Sequence, residues 1–239
     1  MNQSQPDAQQ PQPLSAAPAT PCGGRGVVAC LVILAVLCID QALKVYVKTH
    51  FWLHESYEVT PWWQILFTEN QGMAFGMDFI GTAPLAIFRV AAVAGFVYLL
   101  LRAIASRLPM GFIVCMAMII AGAAGNIIDN LFYGLIFTES SEFAAPAELV
   151  AFGEGYGRMF EGRVVDMFYF PLFTWPDWVP LVGGRVFFNA IFNFADASID
   201  CGAAAMLLFY HKTLGRVMGS GTKQETEEHE EQTVASSEA

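Results

Sequence analysis

Four long apolar stretches constrain this chain more than any other feature of its sequence. They cover residues 27–47, 84–101, 110–128 and 186–210. A helix needs about 20 predominantly apolar residues to cross the hydrocarbon core of a bilayer, and each stretch is close to that length. We therefore predict an all-α membrane protein with four transmembrane helices, the third of which could continue to Phe137.

The composition supports this prediction and excludes a nucleic-acid-binding protein. Hydrophobic residues make up 55% of the 239 residues and charged residues 14%, against roughly 25% charged in soluble domains. Much of the net charge of −10 comes from six glutamates in the last 15 residues. We predict a disordered tail over 1–24, a membrane domain over 25–217 and a disordered acidic tail over 218–239.

Charge in the short loops predicts the orientation. Arg102 and Arg107 lie in the short connection between the second and third apolar stretches, and short arginine-rich loops stay in the cytoplasm. Both tails are then cytoplasmic. The longer segments 48–83 and 138–185 then lie outside the cytoplasm, and their aromatic residues suit the membrane interface. Segment 48–83 is predicted to form short strands and turns.

Polar residues inside the apolar stretches are costly, and here their positions agree with one another. They are Asp40 and Lys44 in the first stretch, Asn126 and Asp129 in the third, and Asn189, Asn193, Asp196 and Asp200 in the fourth. The spacings of four, three and four in the last group predict a single helix face. Successive helices cross the membrane in opposite directions. All three polar groups are therefore expected toward the outer side of the membrane.

Two readings of these residues stay open. Asp40 with Lys44 could be a supporting ion pair, the asparagines could be interhelical hydrogen-bonding groups, and Asp200 could be structural or protonated. Asp166 lies in the aromatic segment just outside the membrane, however, and with Asp196 it could form a proton-sharing pair that activates water. Intramembrane carboxylates also occur in proton-coupled transporters, which is the alternative function.

Five segments in order resemble the lipoprotein signal peptidases, the signal peptidase II family of aspartic proteases. They are IDQALK at 39–44, ENQGMAFG at 69–76, AGNIID at 124–129, GRVVDMF at 162–168 and FNFADASI at 192–199. The resemblance covers about 27–212. It implies a four-helix membrane fold with a small extracytoplasmic β-cradle and a periplasmic interfacial helix.

The resemblance also implies an activity and the residues that carry it. The catalytic pair is Asp166 and Asp196, and no metal or cofactor is expected. The supporting or substrate-binding positions are Asp40, Lys44, Asn70, Gly72, Phe75, Asn126, Asp129, Arg163 and Asn193. The expected partners are diacylglyceryl-modified prolipoproteins, cleaved just before the modified cysteine, together with membrane lipid and globomycin-like inhibitors, at the bacterial inner membrane.

The sequence departs from the family pattern at two places. Asn130 stands where the family commonly has arginine. Arg89 or Arg163 could substitute for that arginine. The alternative is a protein that binds lipoprotein signal peptides without cutting them. The segment 138–161 is longer than the compact pattern and resembles the longer form of Bacteroidetes-like members.

Overall fold

The three longest elements in the described part of the chain are helices. The structure, a computed structural model, describes residues 23–70, 82–143 and 145–217. The helices are α1 (Gly23–His50), α2 (Thr82–Ala105) and α3 (Met110–Ile128). Among these described residues, three segments are long and apolar enough to cross a membrane: Gly23–His50, Phe88–Ala105 and Met110–Ile136. The tails predicted for 1–24 and 218–239 lie almost entirely outside the described residues, although Gly23 and Gly24 already belong to α1.

The third helix continues beyond Ile128, as the sequence allowed. A π-helical turn, Asp129–Tyr133, follows α3 directly and leads into the short α4, Gly134–Ile136. Asp129, Asn130 and Tyr133 are buried in this turn. A π-helical turn changes the direction in which side chains leave the helix and occurs often at functional sites.

The fourth helix begins later than predicted. Helix α5 spans Phe194–Phe209, 16 residues, and a short helix over 211–217 follows it. Residues 186–193 are not helical, so the single helix face that includes Asn189 was wrong. Asn189 lies between two strands and accepts a hydrogen bond from Tyr169 Oη at 3.0 Å. A short apolar run rich in Phe and Ile fits a strand as well as a helix, which periodicity alone does not resolve.

Within the described residues, six strands lie at one end of the helices. Strands β1 (Ser56–Thr60), β2 (Trp63–Asn70), β3 (Val164–Tyr169) and β6 (Ile191–Phe192) form an antiparallel sheet in the order β1-β2-β3-β6. Strands β4 (Phe173–Thr174) and β5 (Val186–Phe187) form a separate aromatic hairpin. The strands predicted in 48–83 are thus present. A periplasmic helix is not found between 138 and 193 within the described part of the chain, where 177–184 form turns.

A bulge disturbs the pairing of β2 with β3 beside one of the predicted catalytic residues. Ile65 pairs with Phe168 and Thr68 with Asp166, so β2 has one more residue than β3 over this stretch. Bulges bend a strand and redirect its side chains, and they are common next to active sites.

Helix α3 packs against α1, α2 and α5, and small residues bring it close to its neighbours. A Cβ atom on Gly122 would lie 2.3 Å from the carbonyl oxygen of Ala195 in α5. One on Gly125 would lie 2.6 Å from Asp40 Oδ2 in α1. Both positions therefore require glycine for the helices to approach this closely.

The interior has two apolar clusters. One fills the helical bundle and includes Leu100, Phe112 and Ile120. The other lies beneath the sheet and includes Phe67, Phe137 and Met167. The buried polar residues Asp40, Lys44 and Asp129 lie on the helices that join these clusters.

Candidate active site

Asp166 is held in the middle of the sheet. It is the third residue of β3, which pairs with β2 on one side and β6 on the other, and it is 4% exposed. Its Oδ1 accepts a hydrogen bond from Asn193 Nδ2 at 2.7 Å. Burial raises the pKa of Asp166 to about 7, and the nearby Asp196 carboxyl adds to the rise while the hydrogen bond from Asn193 opposes it.

Asp196 lies in the first turn of α5, where a capping box fixes it. Asn193 is the N-cap: its Oδ1 accepts a hydrogen bond from the Asp196 backbone N–H at 2.9 Å. In return Asp196 Oδ2 accepts from the Asn193 backbone N–H at 3.4 Å. A capping box satisfies two otherwise free backbone donors, and the helix dipole favours a negative charge at this end.

Asn126 gives Asp196 a second donor. Asn126 Nδ2 donates to Asp196 Oδ1 at 2.7 Å, and its Oδ1 accepts from Lys44 Nζ at 2.8 Å. An ammonium group can only donate, so Lys44 fixes which end of the Asn126 carboxamide faces Asp196. The same Oδ1 accepts from Asn193 Nδ2 at 3.2 Å, which joins the two asparagines.

Lys44 is the centre of a buried charged cluster. Its Nζ lies 2.9 Å from Asp40 Oδ2 and 2.7 Å from Asp129 Oδ2, and all three side chains are almost completely buried. The predicted i, i+4 pair of Asp40 and Lys44 is therefore present, with Asp129 as an additional partner. A buried ammonium between two carboxylates, with Asn126 as a further acceptor, has its charge compensated.

Asp40 also connects the first helix to the start of α5. Its Oδ1 accepts a hydrogen bond from the backbone N–H of Ala195 at 2.9 Å, deep in the protein. Ala195 precedes Asp196, so the supporting ion pair and the capping box are parts of one network. Asp40 therefore forms the ion pair with Lys44 and also holds the start of the helix that carries Asp196.

Two residues of this network were not singled out from the sequence. Gln41 Nε2 donates to Asp129 Oδ1 at 2.9 Å, and Gln41 Oε1 accepts from Tyr133 Oη at 3.1 Å. Gln41 lies within IDQALK, where its position beside Asp40 was a usable signal. No sequence signal indicated Tyr133, because only the π-helical turn brings its hydroxyl group within reach of Gln41.

The other predicted residues lie farther from the two aspartates. Asn70 ends β2 opposite Val164, whereas Gly72 and Phe75 lie outside the described residues. Arg163 precedes β3, and its guanidinium contacts Glu69 Oε2 at 3.2 Å and Glu139 Oε1 at 3.1 Å. Asp200 lies on the exposed side of α5.

Asn130, the departure from the family pattern, contacts one of the two arginines that could substitute. Arg89 Nη1 donates to Asn130 Oδ1 at 2.7 Å, and Asn130 Nδ2 donates to the carbonyl oxygen of Gly162 at 2.8 Å. The guanidinium of Arg89 is thereby brought from α2 to the π-helical turn.

Comparison with known proteins identifies the family. The family model described as signal peptidase (SPase) II matches residues 32–212. The lipoprotein signal peptidase of Porphyromonas gingivalis strain W83 is 42% identical over 212 residues, which cover 84% of this chain and 92% of the relative. The chain belongs to the signal peptidase II family. A lipoprotein signal peptidase of Amoebophilus asiaticus is 32% identical over 188 residues, covering 74% of this chain and 75% of that protein.

Solved structures share this fold. A bacterial membrane enzyme determined by the in meso method at 1.9 Å resolution matches with a TM-score of 0.52 and 22% identity, covering 76% of this chain and 90% of that one. A second such structure at 2.3 Å matches with a TM-score of 0.52. The resemblance inferred from the five sequence segments is confirmed, and this signal peptidase II member has a membrane-enzyme fold.

Proposed function

We propose that this protein is an aspartic endopeptidase that removes signal peptides from prolipoproteins, with Asp166 and Asp196 as its catalytic residues. The observation that carries the proposal is the position of Asn193. Through one carboxamide it binds the side chain of Asp166 and the backbone of Asp196. Two carboxylates from separate elements are thus brought to one place, at the outer end of an apolar bundle.

The hydrogen bonds favour one distribution of protons. Asp196 accepts from Asn126 Nδ2 and lies at the positive end of α5, which suits a carboxylate. Asp166 is buried, and its pKa of about 7 suits the protonated member of the pair.

This distribution gives each aspartate a role in the cleavage reaction. The Asp196 carboxylate takes a proton from a water molecule as the water oxygen attacks the scissile carbonyl carbon. Protonated Asp166 donates a hydrogen bond to the carbonyl oxygen, which develops negative charge. When the carbon–nitrogen bond breaks, a proton passes from the aspartate pair to the leaving amine.

The charged cluster orients this pair and lies behind it. Lys44 is occupied by Asp40, Asp129 and Asn126, so its role is to fix Asn126 against Asp196 rather than to contact substrate. Arg89, placed by Asn130, is the better candidate for the substrate contact that an arginine at position 130 would make. Asn70, at the end of β2, and Gly72 are proposed as substrate-binding residues.

The proposed membrane arrangement places the chemistry at the outer leaflet of the bacterial inner membrane. Both termini lie in the cytoplasm, and the sheet forms the extracytoplasmic cradle. A fourth crossing is made by α5 together with the helix over 211–217, which lengthens the 16 residues of α5 toward the ~20 that a crossing needs. A diacylglyceryl-cysteine anchored in the outer leaflet would reach the aspartates without leaving the lipid.

Processing of a lipidated prolipoprotein by the purified protein tests this function. We expect cleavage just before the modified cysteine, and we expect globomycin to inhibit it. A matched substrate whose cysteine is serine, and which therefore carries no diacylglyceryl group, should remain uncut. Absence of cleavage, or equal cleavage of both substrates, would contradict the proposal.

A further inference from the structure

A second buried ion pair lies one helix turn beyond Lys44. Lys48, at the end of α1, is completely buried, and its Nζ donates to Glu69 Oε1 in β2 and, at 2.9 Å, to Ser140 Oγ. Ser140 Oγ in turn donates to the same Glu69 oxygen at 2.7 Å. Burial opposes the charge on Glu69, but the Lys48 ammonium outweighs it and holds the Glu69 pKa below its usual range.

Glu69 is also the contact point for the residue that leads into β3. Its second oxygen, Oε2, accepts from Arg163 Nη1 at 3.2 Å. The Arg163 guanidinium lies over the ring of Tyr156, 5.1 Å from its centroid, and the Tyr156 hydroxyl accepts from the Arg163 backbone N–H at 2.7 Å. Ser140 and Tyr156 both belong to the segment 138–161, the insertion relative to the compact family pattern.

The position of Glu69 in the sheet gives this cluster a consequence for Asp166. Glu69 pairs with Val165, the residue before Asp166, just past the bulge in β2. A shift of one residue in the register would turn Asp166 to the opposite face of the sheet. The bulge offsets the pairing of β2 with β3 by one residue, so contacts made beyond it, at Glu69, set the register next to Asp166.

A buried ion pair is well suited to set this register. Replacing such a pair with apolar residues is often neutral or stabilising, so stability alone does not account for it. Its directional bonds, however, are satisfied in only one arrangement of the segments that carry Lys48, Glu69 and Arg163.

We propose that Lys48 and Glu69 are positioning residues for Asp166, and that the segment 138–161 serves to enclose their ion pair and complete its hydrogen bonds. The pair fixes the register of β2 against β3 and so the place of Asp166 next to Asn193. This inference rests on the proposed catalytic role of Asp166.

Steady-state kinetics of Glu69→Gln, Lys48→Met and Ser140→Ala on a lipidated prolipoprotein test it. We expect kcat to fall about 10- to 100-fold for the first two variants, as misplacement by about 1 Å can cause, with KM within about twofold. The kcat of Ser140→Ala should fall by a smaller factor. Glu139→Gln is the matched control, because Glu139 also contacts Arg163 but on the exposed side, and its kcat should not change.

The pH profile separates positioning from a simple charge effect. Removing a negative charge at Glu69 and a positive charge at Lys48 would shift the profile of the aspartate pair in opposite directions. Loss of position, by contrast, exposes Asp166 in both variants and moves the alkaline limb of kcat to lower pH in both. Kinetics are expressed per folded protein, measured by circular dichroism and thermal unfolding in the same detergent.

The possible results distinguish this inference from the function on which it rests. If Asp166→Asn cleaves normally, the proposed catalytic role itself fails. If Asp166→Asn is inactive while folded Glu69→Gln retains full kcat, or the pH limbs of the two variants move in opposite directions, the positioning role is overturned. Should Lys48→Met not fold, Glu69→Gln decides alone, and should neither fold, unchanged kcat in Ser140→Ala overturns the inference.

Discussion

At the scale of single residues, Asn193 joins the two proposed catalytic aspartates through one carboxamide. Its Oδ1 caps α5 and its Nδ2 donates to Asp166. These two functions can be separated, because serine accepts at an N-cap about as well as asparagine does, while its shorter side chain has no amide group to donate to Asp166.

Substitutions at Asn193 should therefore divide stability from activity. Asn193→Ala loses both functions, and we expect about 0.5–2 kcal/mol lower stability from the lost cap together with a large fall in kcat. Asn193→Ser should keep most of the stability that comes from the cap and still lose activity. Thermal unfolding and kcat measured on both variants check this; full activity in Asn193→Ser would show that the bond to Asp166 is dispensable.

The raised pKa of Asp166 predicts a pH dependence of stability. A folded-state pKa of about 7, against an ordinary value of 3.8, means that the folded protein binds this proton more tightly than the unfolded chain does. The contribution of protonated Asp166 to the free energy of unfolding is fully present below about pH 4 and is lost as the pH rises through about 7. Asp166→Asn, which stays neutral, should raise the melting temperature relative to wild type more at pH 8 than at pH 5. Equal differences at both values would contradict the raised pKa.

Sequence reasoning found most residues of this site because ionisable side chains in apolar helices are conspicuous. Asp40, Lys44, Asn126, Asp129, Asn193 and Asp196 all lie in one network. Lys48 and Glu69 were not singled out, although Lys48 continues the i, i+4 spacing of Asp40 and Lys44. Glu69 could not be paired with it, because contact between a helix end and a strand depends on the tertiary fold.

At the scale of elements, close helix packing sets the positions of the polar groups. Gly125 in α3 leaves the space that Asp40 of α1 occupies, and Asp40 in turn holds the start of α5 through Ala195. The spacing of three helices thus depends on one missing Cβ atom.

Gly125→Ala should consequently disrupt the site. The added carbon would lie 2.6 Å from Asp40 Oδ2, and we expect a loss of about 1–3 kcal/mol in stability from overpacking and a fall in cleavage rate. Gly95→Ala in α2 is the control, since an added Cβ there meets nothing within 4 Å. Activity and thermal unfolding of the two variants measure the effect; equal behaviour would argue against the close approach.

The elements differ in how well the sequence predicts them. Length and hydropathy identify α1, α2 and α3 because membrane helices satisfy their own backbone hydrogen bonds. The start of α5 was misplaced, because Ile191 and Phe192 are apolar in a strand as they would be in a helix. The pairing of Thr68 with Asp166 and the bulge beside it depend on contacts between distant segments, which no local pattern encodes.

At the scale of the whole molecule, an apolar bundle carries a small sheet at one end, and the candidate site lies where they meet. This arrangement suits a substrate whose lipid part stays in the membrane while its peptide reaches the sheet. It requires the segment 138–161 to be outside the cytoplasm and the loop between α2 and α3 to be inside.

Thiol labelling checks this orientation. In a protein whose native cysteines have been replaced, a cysteine at the exposed position Glu154 should react with a membrane-impermeant reagent in intact spheroplasts. A cysteine at Ser106, in the loop between α2 and α3, should react only after lysis. The reverse pattern would invert the proposed topology.

Cleavage by the variants Asp166→Asn, Asp196→Asn and Asp200→Asn tests the central claim most directly. Asparagine keeps the size of aspartate but neither ionises nor transfers a proton, and loss of one acid–base group typically costs about 10²–10⁴-fold in rate. We predict that the first two variants fold but lose cleavage to this extent, that their double variant is scarcely worse, and that Asp200→Asn, exposed on the same helix, retains most activity. Normal cleavage by either Asp166→Asn or Asp196→Asn would contradict the account.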